Sequence, residues 1–135
     1  MAFEFHQKVL FKHCDPAGIV FFPRYFEIIN DCVEAFFDQG LNAPFHDLHR
    51  NGAVPTVQIQ TQFPAPSRHG DELVFQLEIT QVGRSSADYK MTACCGDEVR
   101  LTTSATLVNV TANGRPEAWP DVIRSKLTEF KGGAT

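Results

Sequence analysis

A chain of 135 residues with 43% apolar and 21% charged side chains is expected to form a single soluble globular domain over 1–135, large enough to bury a core. A net charge of −4 argues against nucleic acid, whose usual protein footprint is a basic face, while a small local basic patch still suffices for a phosphorylated ligand. No segment approaches membrane-spanning length, and Met1-Ala2-Phe3-Glu4-Phe5 lacks the basic and apolar regions of a signal peptide, so the expectation is a cytoplasmic protein with no membrane partner. The chain holds twelve Phe, most of them expected in the core and some at a pocket or subunit interface. Cys14, Cys32, Cys94 and Cys95 show no CxxC spacing and read as free thiols in a reducing compartment.

Residues 3–11 alternate, with Phe3, Phe5, Val9 and Phe11 on one side and Glu4, His6 and Lys8 on the other, which predicts a half-buried strand. A Pro/Gly loop around Asp15 follows. From Arg24 to Gln39 the apolar residues Phe26, Ile29, Val33, Phe36 and Phe37 recur at helical spacing, and Ile28 and Cys32 widen the stripe. Pro23 suits the first turn of that helix and Gly40 its end. Residues 41–53 read as a connector with room for one short helical turn.

Four alternating stretches then predict strands over 57–63, 73–80, 87–93 and 99–107, separated by turn signals at Pro64 to Asp71, Gly83 to Ser86 and Gly96-Asp97. Asn113-Gly114 closes the strand region. Trp119-Pro120-Asp121 opens a short C-terminal helix with Val122, Ile123, Leu127 and Phe130 as its apolar side, and Gly132-Gly133 begins a tail. A strand, a long helix and four more strands define an α+β class: an antiparallel sheet of about five strands wrapped around one central helix. One helix cannot cover both faces of that sheet, so a homo-oligomer is expected.

The junction between the first strand and the long helix carries the chemistry. A loop there holds the Asp15 carboxylate near the backbone N–H groups that open the helix, which lack intrahelical partners and lie at the positive end of its dipole. A carboxylate with oriented donors suits acyl transfer, the one attacking or activating water and the others holding the oxyanion. Gly18 tolerates unusual dihedrals and lets a ligand approach the backbone.

The run Cys14-Asp15-Pro16-Ala17-Gly18-Ile19-Val20-Phe21-Phe22-Pro23 resembles the signature of the 4-hydroxybenzoyl-CoA thioesterase family, which are hotdog-fold acyl-CoA hydrolases. The resemblance implies that Asp15 is catalytic, as nucleophile or general base, and that the backbone amide of Phe22 polarises the thioester carbonyl, with Gly18 and Phe21 at the same site. It implies a CoA thioester substrate, an aromatic acyl group such as 4-hydroxybenzoyl ahead of a short aliphatic one, and no cofactor. Basic residues of the turns, Arg68, His69 and Arg84, are the candidates to meet the CoA nucleotide. It also implies a dimer or a dimer of dimers (a homotetramer), with each site drawing on two chains.

The remaining polar candidates have plainer expectations. His6 on the polar strand face and His13 at the strand end are expected at the surface. His46, His49 and His69 show no metal-ligand spacing, and no metal is expected. Glu27, Asp31 and Glu34 read as a solvated helix face. Glu34 is the fallback carboxylate, because a second branch of hotdog thioesterases carries its acid on this helix. The function expected is therefore acyl-CoA hydrolysis. The alternatives are a hotdog hydratase or dehydratase, which releases no free CoA, and a non-catalytic acyl-CoA-binding subunit, which leaves the thioester intact.

Overall fold

The computed structural model describes residues 1–132. Five strands form one antiparallel sheet in the order β1-β4-β5-β6-β3: β1 Phe3–Lys8, β3 Thr56–Gln62, β4 Glu72–Val82, β5 Ser86–Cys95 and β6 Glu98–Val108. Two two-residue strands, β2 (Gly52–Ala53) and β7 (Val110–Thr111), pair separately. Helix α1 spans Phe22–Ala35, α2 is a single turn at Phe45–Leu48 within the connector, and α3 covers Asp121–Glu129. This is the hotdog arrangement.

Side-chain alternation explains the sheet. In β4, Leu73, Phe75, Leu77 and Ile79 point into the core while Glu72 and Gln76 face out, and Ala87, Tyr89, Met91 and Ala93 do the same in β5. The opposite face carries Gln, Thr, Ser and charged residues. On the core side, α1 buries Tyr25, Ile28, Ile29, Cys32 and Val33. Phe36 and Phe37 continue that stripe in a π-turn over Phe36–Gly40, closed by the Leu41 N–H donating to the Phe36 carbonyl (2.9 Å). The extra residue per turn brings Phe36, Phe37 and Leu41 all to the interior, where a steady α-helix would rotate one of them outward. Phe36 packs edge-on against Phe3, Phe37 and Phe130, with ring centroids 5.6, 5.7 and 5.0 Å away. Burying a side chain of that size contributes about 1.5–3 kcal/mol. The end of α3 is tied to the sheet, since the Ile79 N–H donates to the Phe130 carbonyl (2.9 Å).

Several expectations need correction. β1 stops at Lys8; the segment Phe11–His13 is a 3₁₀ turn, and Phe11 is 81% exposed rather than inward-facing. The helix begins two residues earlier than its apolar spacing indicated, and Phe26 lies on its exposed side. Val57, Ile59 and Phe63 in and beside β3 alternate correctly yet are exposed, because β3 is a free sheet edge that α1 covers only in part. Val99 and Val122 also stand in solvent. Gly132 is held by its N–H donating to the Ile79 carbonyl (3.0 Å), and the rest of the expected tail lies outside the described residues. No helix among the described residues is long and apolar enough to cross a membrane.

Candidate active site

Residues 14–20 form a tight hairpin between β1 and α1. Cys14 and Val20 bridge its ends, the Asp15 N–H donates to the Ile19 carbonyl (2.9 Å), and the Gly18 N–H donates to the Asp15 carbonyl (2.9 Å). Gly18 closes the turn at φ +82°, a conformation that L side chains rarely adopt. The half-buried Asp15 side chain is fixed by the Ala17 N–H, which donates to its Oδ1 (2.9 Å). Among the described residues its Oδ2 has no hydrogen-bond partner, so one carboxylate oxygen is anchored and the other is left for chemistry.

The hairpin runs straight into α1. Phe21 is the N-cap residue, and its N–H donates to the His13 carbonyl (2.9 Å) while its carbonyl accepts from the Arg24 N–H (2.8 Å). Phe22 is the first helical residue, and no acceptor for its N–H stands among the described residues. Pro23 has no N–H to offer. The Phe22 amide is therefore the first free donor at the positive end of the helix, on the same short connection as Asp15.

Aromatic rings surround this junction. Phe63 stacks on Tyr25 (5.4 Å between centroids) and meets Phe22 and Phe26 edge-on (6.2 and 6.4 Å), while Phe21 packs edge-on to Phe22 (5.8 Å). Phe21, Phe22, Phe26 and Phe63 remain 36–57% exposed. An apolar groove of about 210 Å³ continues from Phe26 along the helix, lined by Ile29, Asn30, Val33, Thr56, Ile59 and Tyr89. A contiguous exposed apolar surface of this kind marks a ligand or subunit contact.

Of the basic candidates, Arg68 and His69 lie at the hairpin: Ile19 and Arg68 form an antiparallel bridge, and the His69 ring lies 6.0 Å from that of Phe11. Arg84 does not join them. It sits in the turn after β4, whereas Arg68 precedes it, and eleven residues of strand separate the two ends by roughly 35 Å. Its turn is held instead by Arg124, whose Nη2 donates to the Gly83 and Arg84 carbonyls (2.9 and 2.8 Å).

His6 is exposed as expected, but His13 is not: it is 4% exposed, and its Nδ1 accepts the Leu10 N–H (2.9 Å). Burial, with Lys12 and Arg24 nearby, holds its pKa below the ordinary 6.5, against a smaller opposing pull from Glu27 and Asp31. His13 is therefore a structural acceptor beneath the hairpin. Glu27, Asp31 and Glu34 are exposed, with Glu27 paired to Arg24 (2.9 Å). Cys32, buried in the core, has its thiol pushed up to about 12 by desolvation and is inert. Among the described residues no three His, Cys, Asp or Glu side chains gather as metal ligands.

Sequence reading missed a polar group behind the hairpin, with Tyr25 and Ser67 buried and Asp71 and Arg100 partly so. These residues are scattered over 75 positions of sequence, and the only local signal was the turn-rich run Ser67 to Asp71.

Comparison with known proteins gives a consistent picture. A family model described as the thioesterase-like superfamily matches residues 9–127. No curated protein matches the chain by sequence. Among solved structures, a 1,4-dihydroxy-2-naphthoyl-CoA thioesterase from Synechocystis superposes with a TM-score of 0.88 at 17% identity, covering 96% of this chain and 97% of that one. A gentisyl-coenzyme A thioesterase gives 0.84 at 22% identity, with 92% and 98% coverage. A 4-hydroxybenzoyl-CoA thioesterase bound to 4-hydroxybenzoyl-CoA gives 0.83 at 19% identity, with 93% and 98% coverage. At these identities the superpositions establish a shared fold.

Proposed function

The chain belongs to the thioesterase-like superfamily and is a thioester hydrolase by class; from that premise we propose that it cleaves an acyl-CoA to the free acid and CoA, with Asp15 and the Phe22 amide as the reacting pair. The observation that carries this reading is the pairing of a carboxylate with one unoccupied oxygen and a helix-opening N–H without an acceptor within the eight residues Asp15 to Phe22. The Phe22 N–H donates to the thioester carbonyl oxygen and stabilises the charge that builds there. As nucleophile, Asp15 Oδ2 attacks the carbonyl carbon, the C–S bond breaks, and CoA leaves as a thiolate that takes a proton from solvent. Water then opens the mixed anhydride, releasing the acid and restoring the carboxylate. As general base, Asp15 takes a proton from water as that water attacks the carbonyl. Gly18 lets the substrate approach the hairpin backbone.

The exposed rings of Phe21, Phe22, Phe26 and Phe63 and the groove beside them favour an aromatic acyl group such as 4-hydroxybenzoyl, since flat rings pack edge-on or offset against one another. Arg68 and His69 approach the CoA phosphates from the same chain. If Arg84 meets them as well, it does so from a second copy; the exposed apolar side chains of β3 favour a homodimer or a dimer of dimers as the working form of this one-domain cytoplasmic enzyme.

The test is thiol release from benzoyl-, 4-hydroxybenzoyl-, phenylacetyl- and short aliphatic CoA thioesters by wild type and Asp15→Asn. We expect turnover on the aromatic thioesters, and a fall in kcat of about a thousandfold or more in the folded variant, as for loss of a nucleophile or its equivalent base. Full activity in Asp15→Asn would move the carboxylate role to Glu34. Binding without thiol release in wild type would sink the hydrolase reading and leave a hydratase or a binding subunit.

A further inference from the structure

We propose that Tyr25, Ser67, Asp71 and Arg100 form a positioning network that sets the Asp15 hairpin against the first turn of α1. The chain of contacts is continuous. The Tyr25 hydroxyl, on α1, donates to Ser67 Oγ (2.7 Å), and both residues are fully buried. Arg100, from β6, donates through Nη1 to the same Ser67 Oγ (3.2 Å) and to Asp71 Oδ2 (2.7 Å), and through Nε to Glu98 (2.6 Å). Asp71 Oδ2 also accepts the Arg68 N–H (2.9 Å), which folds the loop 67–71 into a turn.

That loop in turn holds the hairpin. The Ser67 carbonyl accepts the Val20 N–H (2.8 Å), and Ile19 bridges Arg68. The Asp71 carbonyl accepts the Val9 N–H (2.8 Å), so the strand entering the hairpin is fixed by the same turn. Ser67 thus grips the helix with its side chain and the end of the hairpin with its backbone. Asp15 precedes that grip and the Phe22 amide follows it, so Ser67 joins the Phe21 N–H bond to the His13 carbonyl in setting the distance between carboxylate and donor.

The guanidinium is the keystone. Its side chain is 13% exposed and faces Asp71 at 28%, and their contact holds the Asp71 carboxyl below its usual range, so the pair is charged at neutral pH. Burial raises the Tyr25 phenol above its ordinary value, which keeps it protonated and donating. None of the four residues touches the reacting atoms. They are positioning residues, and for such residues a small displacement at a distance lowers kcat more than it changes substrate binding.

The kinetic part of this inference rests on the hydrolase reading, and the test separates the two. Backbone amide exchange is followed by NMR in wild type, Tyr25→Phe and Ser67→Ala, with Arg100→Lys keeping the charge but not the fork of donors. Exchange at Val20 should rise about tenfold or more in each variant while the β5 core amide of Met91 is unchanged, as for local opening of one tethered segment. On a CoA thioester that wild type cleaves, kcat should fall about tenfold to a hundredfold with KM within about twofold, and Tyr25→Phe combined with Ser67→Ala should cost no more than Ser67→Ala alone. Unchanged exchange at Val20 would overturn the proposal, as would Val20 and Met91 accelerating together, which marks a purely structural role. If wild type releases no thiol, the hydrolase reading falls and the exchange data alone decide whether the network positions the hairpin.

Discussion

Two residues, one in the hairpin and one beneath it, have consequences that do not depend on which substrate is turned over. Gly18 stands at φ +82° with no other group within 4 Å of where a Cβ would be, so a side chain there meets strain and no clash. Gly18→Ala should lower stability by about 1 kcal/mol through backbone conformation alone, and Gly18→Asn by less, because Asn tolerates the left-handed region. Urea midpoints of the two variants check this; an equal loss in both would point to something other than φ. His13 gives the hairpin a pH dependence. Its folded pKa is depressed, so between that value and 6.5 the unfolded chain binds the proton more readily than the folded one. Stability therefore rises with pH across that window and is lost as pH falls through the folded value, when Nδ1 is protonated and cannot accept the Leu10 N–H. His13→Asn offers an acceptor oxygen in place of Nδ1 without titrating. The slope of the unfolding free energy between about pH 5 and about pH 7.5 should flatten in that variant, and an unchanged slope would remove His13 as its source.

At the scale of elements, alternation was a sound guide to which segments are strands and a poor one to what covers them. β4, β5 and, apart from Val99, β6 were legible with their inward residues, since each has a sheet neighbour on both sides and the helix over one face. β3 carries the same pattern in Val57, Ile59 and Phe63, yet those side chains are 39–60% exposed. A period of two says that one face is apolar; it does not say whether this chain or another buries it. The start of α1 at Phe22 was hidden for a related reason: Phe21 and Phe22 are apolar but face outward, and Phe26, read as the first residue of the inward stripe, also faces outward, while the buried stripe begins at Tyr25. The Asp15 hairpin was readable because its Pro, Gly and Asp are contiguous. The Tyr25–Arg100 network was not, because polar contacts between residues 42 and 33 positions apart leave no local pattern. The exposed β3 edge with its apolar side chains makes a specific prediction. Ile59→Lys should shift the protein toward monomer in sedimentation velocity, weakening self-association about thirtyfold or more, as for a charge placed at an apolar interface. An unchanged sedimentation coefficient would show that this edge does not carry self-association.

For the whole molecule the decisive fact is that β4 separates Arg68 from Arg84 by its full length, so one chain offers Asp15, Arg68 and His69 at one end of the sheet and Arg84 at the other. If a CoA nucleotide meets Arg84, the site that cleaves the thioester belongs to two chains, and this can be read without any structure of a complex. Asp15→Asn subunits lack the carboxylate. Arg84→Glu subunits repel the phosphates and turn over poorly when CoA thioester is well below KM. Mixed after unfolding and refolded together, half of the dimers formed at random carry one subunit of each kind. In such a dimer one site combines both defects, and the other combines the intact Asp15 of one chain with the intact Arg84 of its partner. About a quarter of all sites should then regain wild-type behaviour, so activity should climb well above that of either parent alone. If Asp15 and Arg84 acted within one chain, every chain in the mixture would still carry a defect and the rate would stay at the average of the two parents. A recovery near a quarter would assign Arg84 to the partner's site and make self-association a condition of catalysis. A flat result would return Arg84 to the role its contacts already give it, a solvated turn capped through its carbonyl by Arg124.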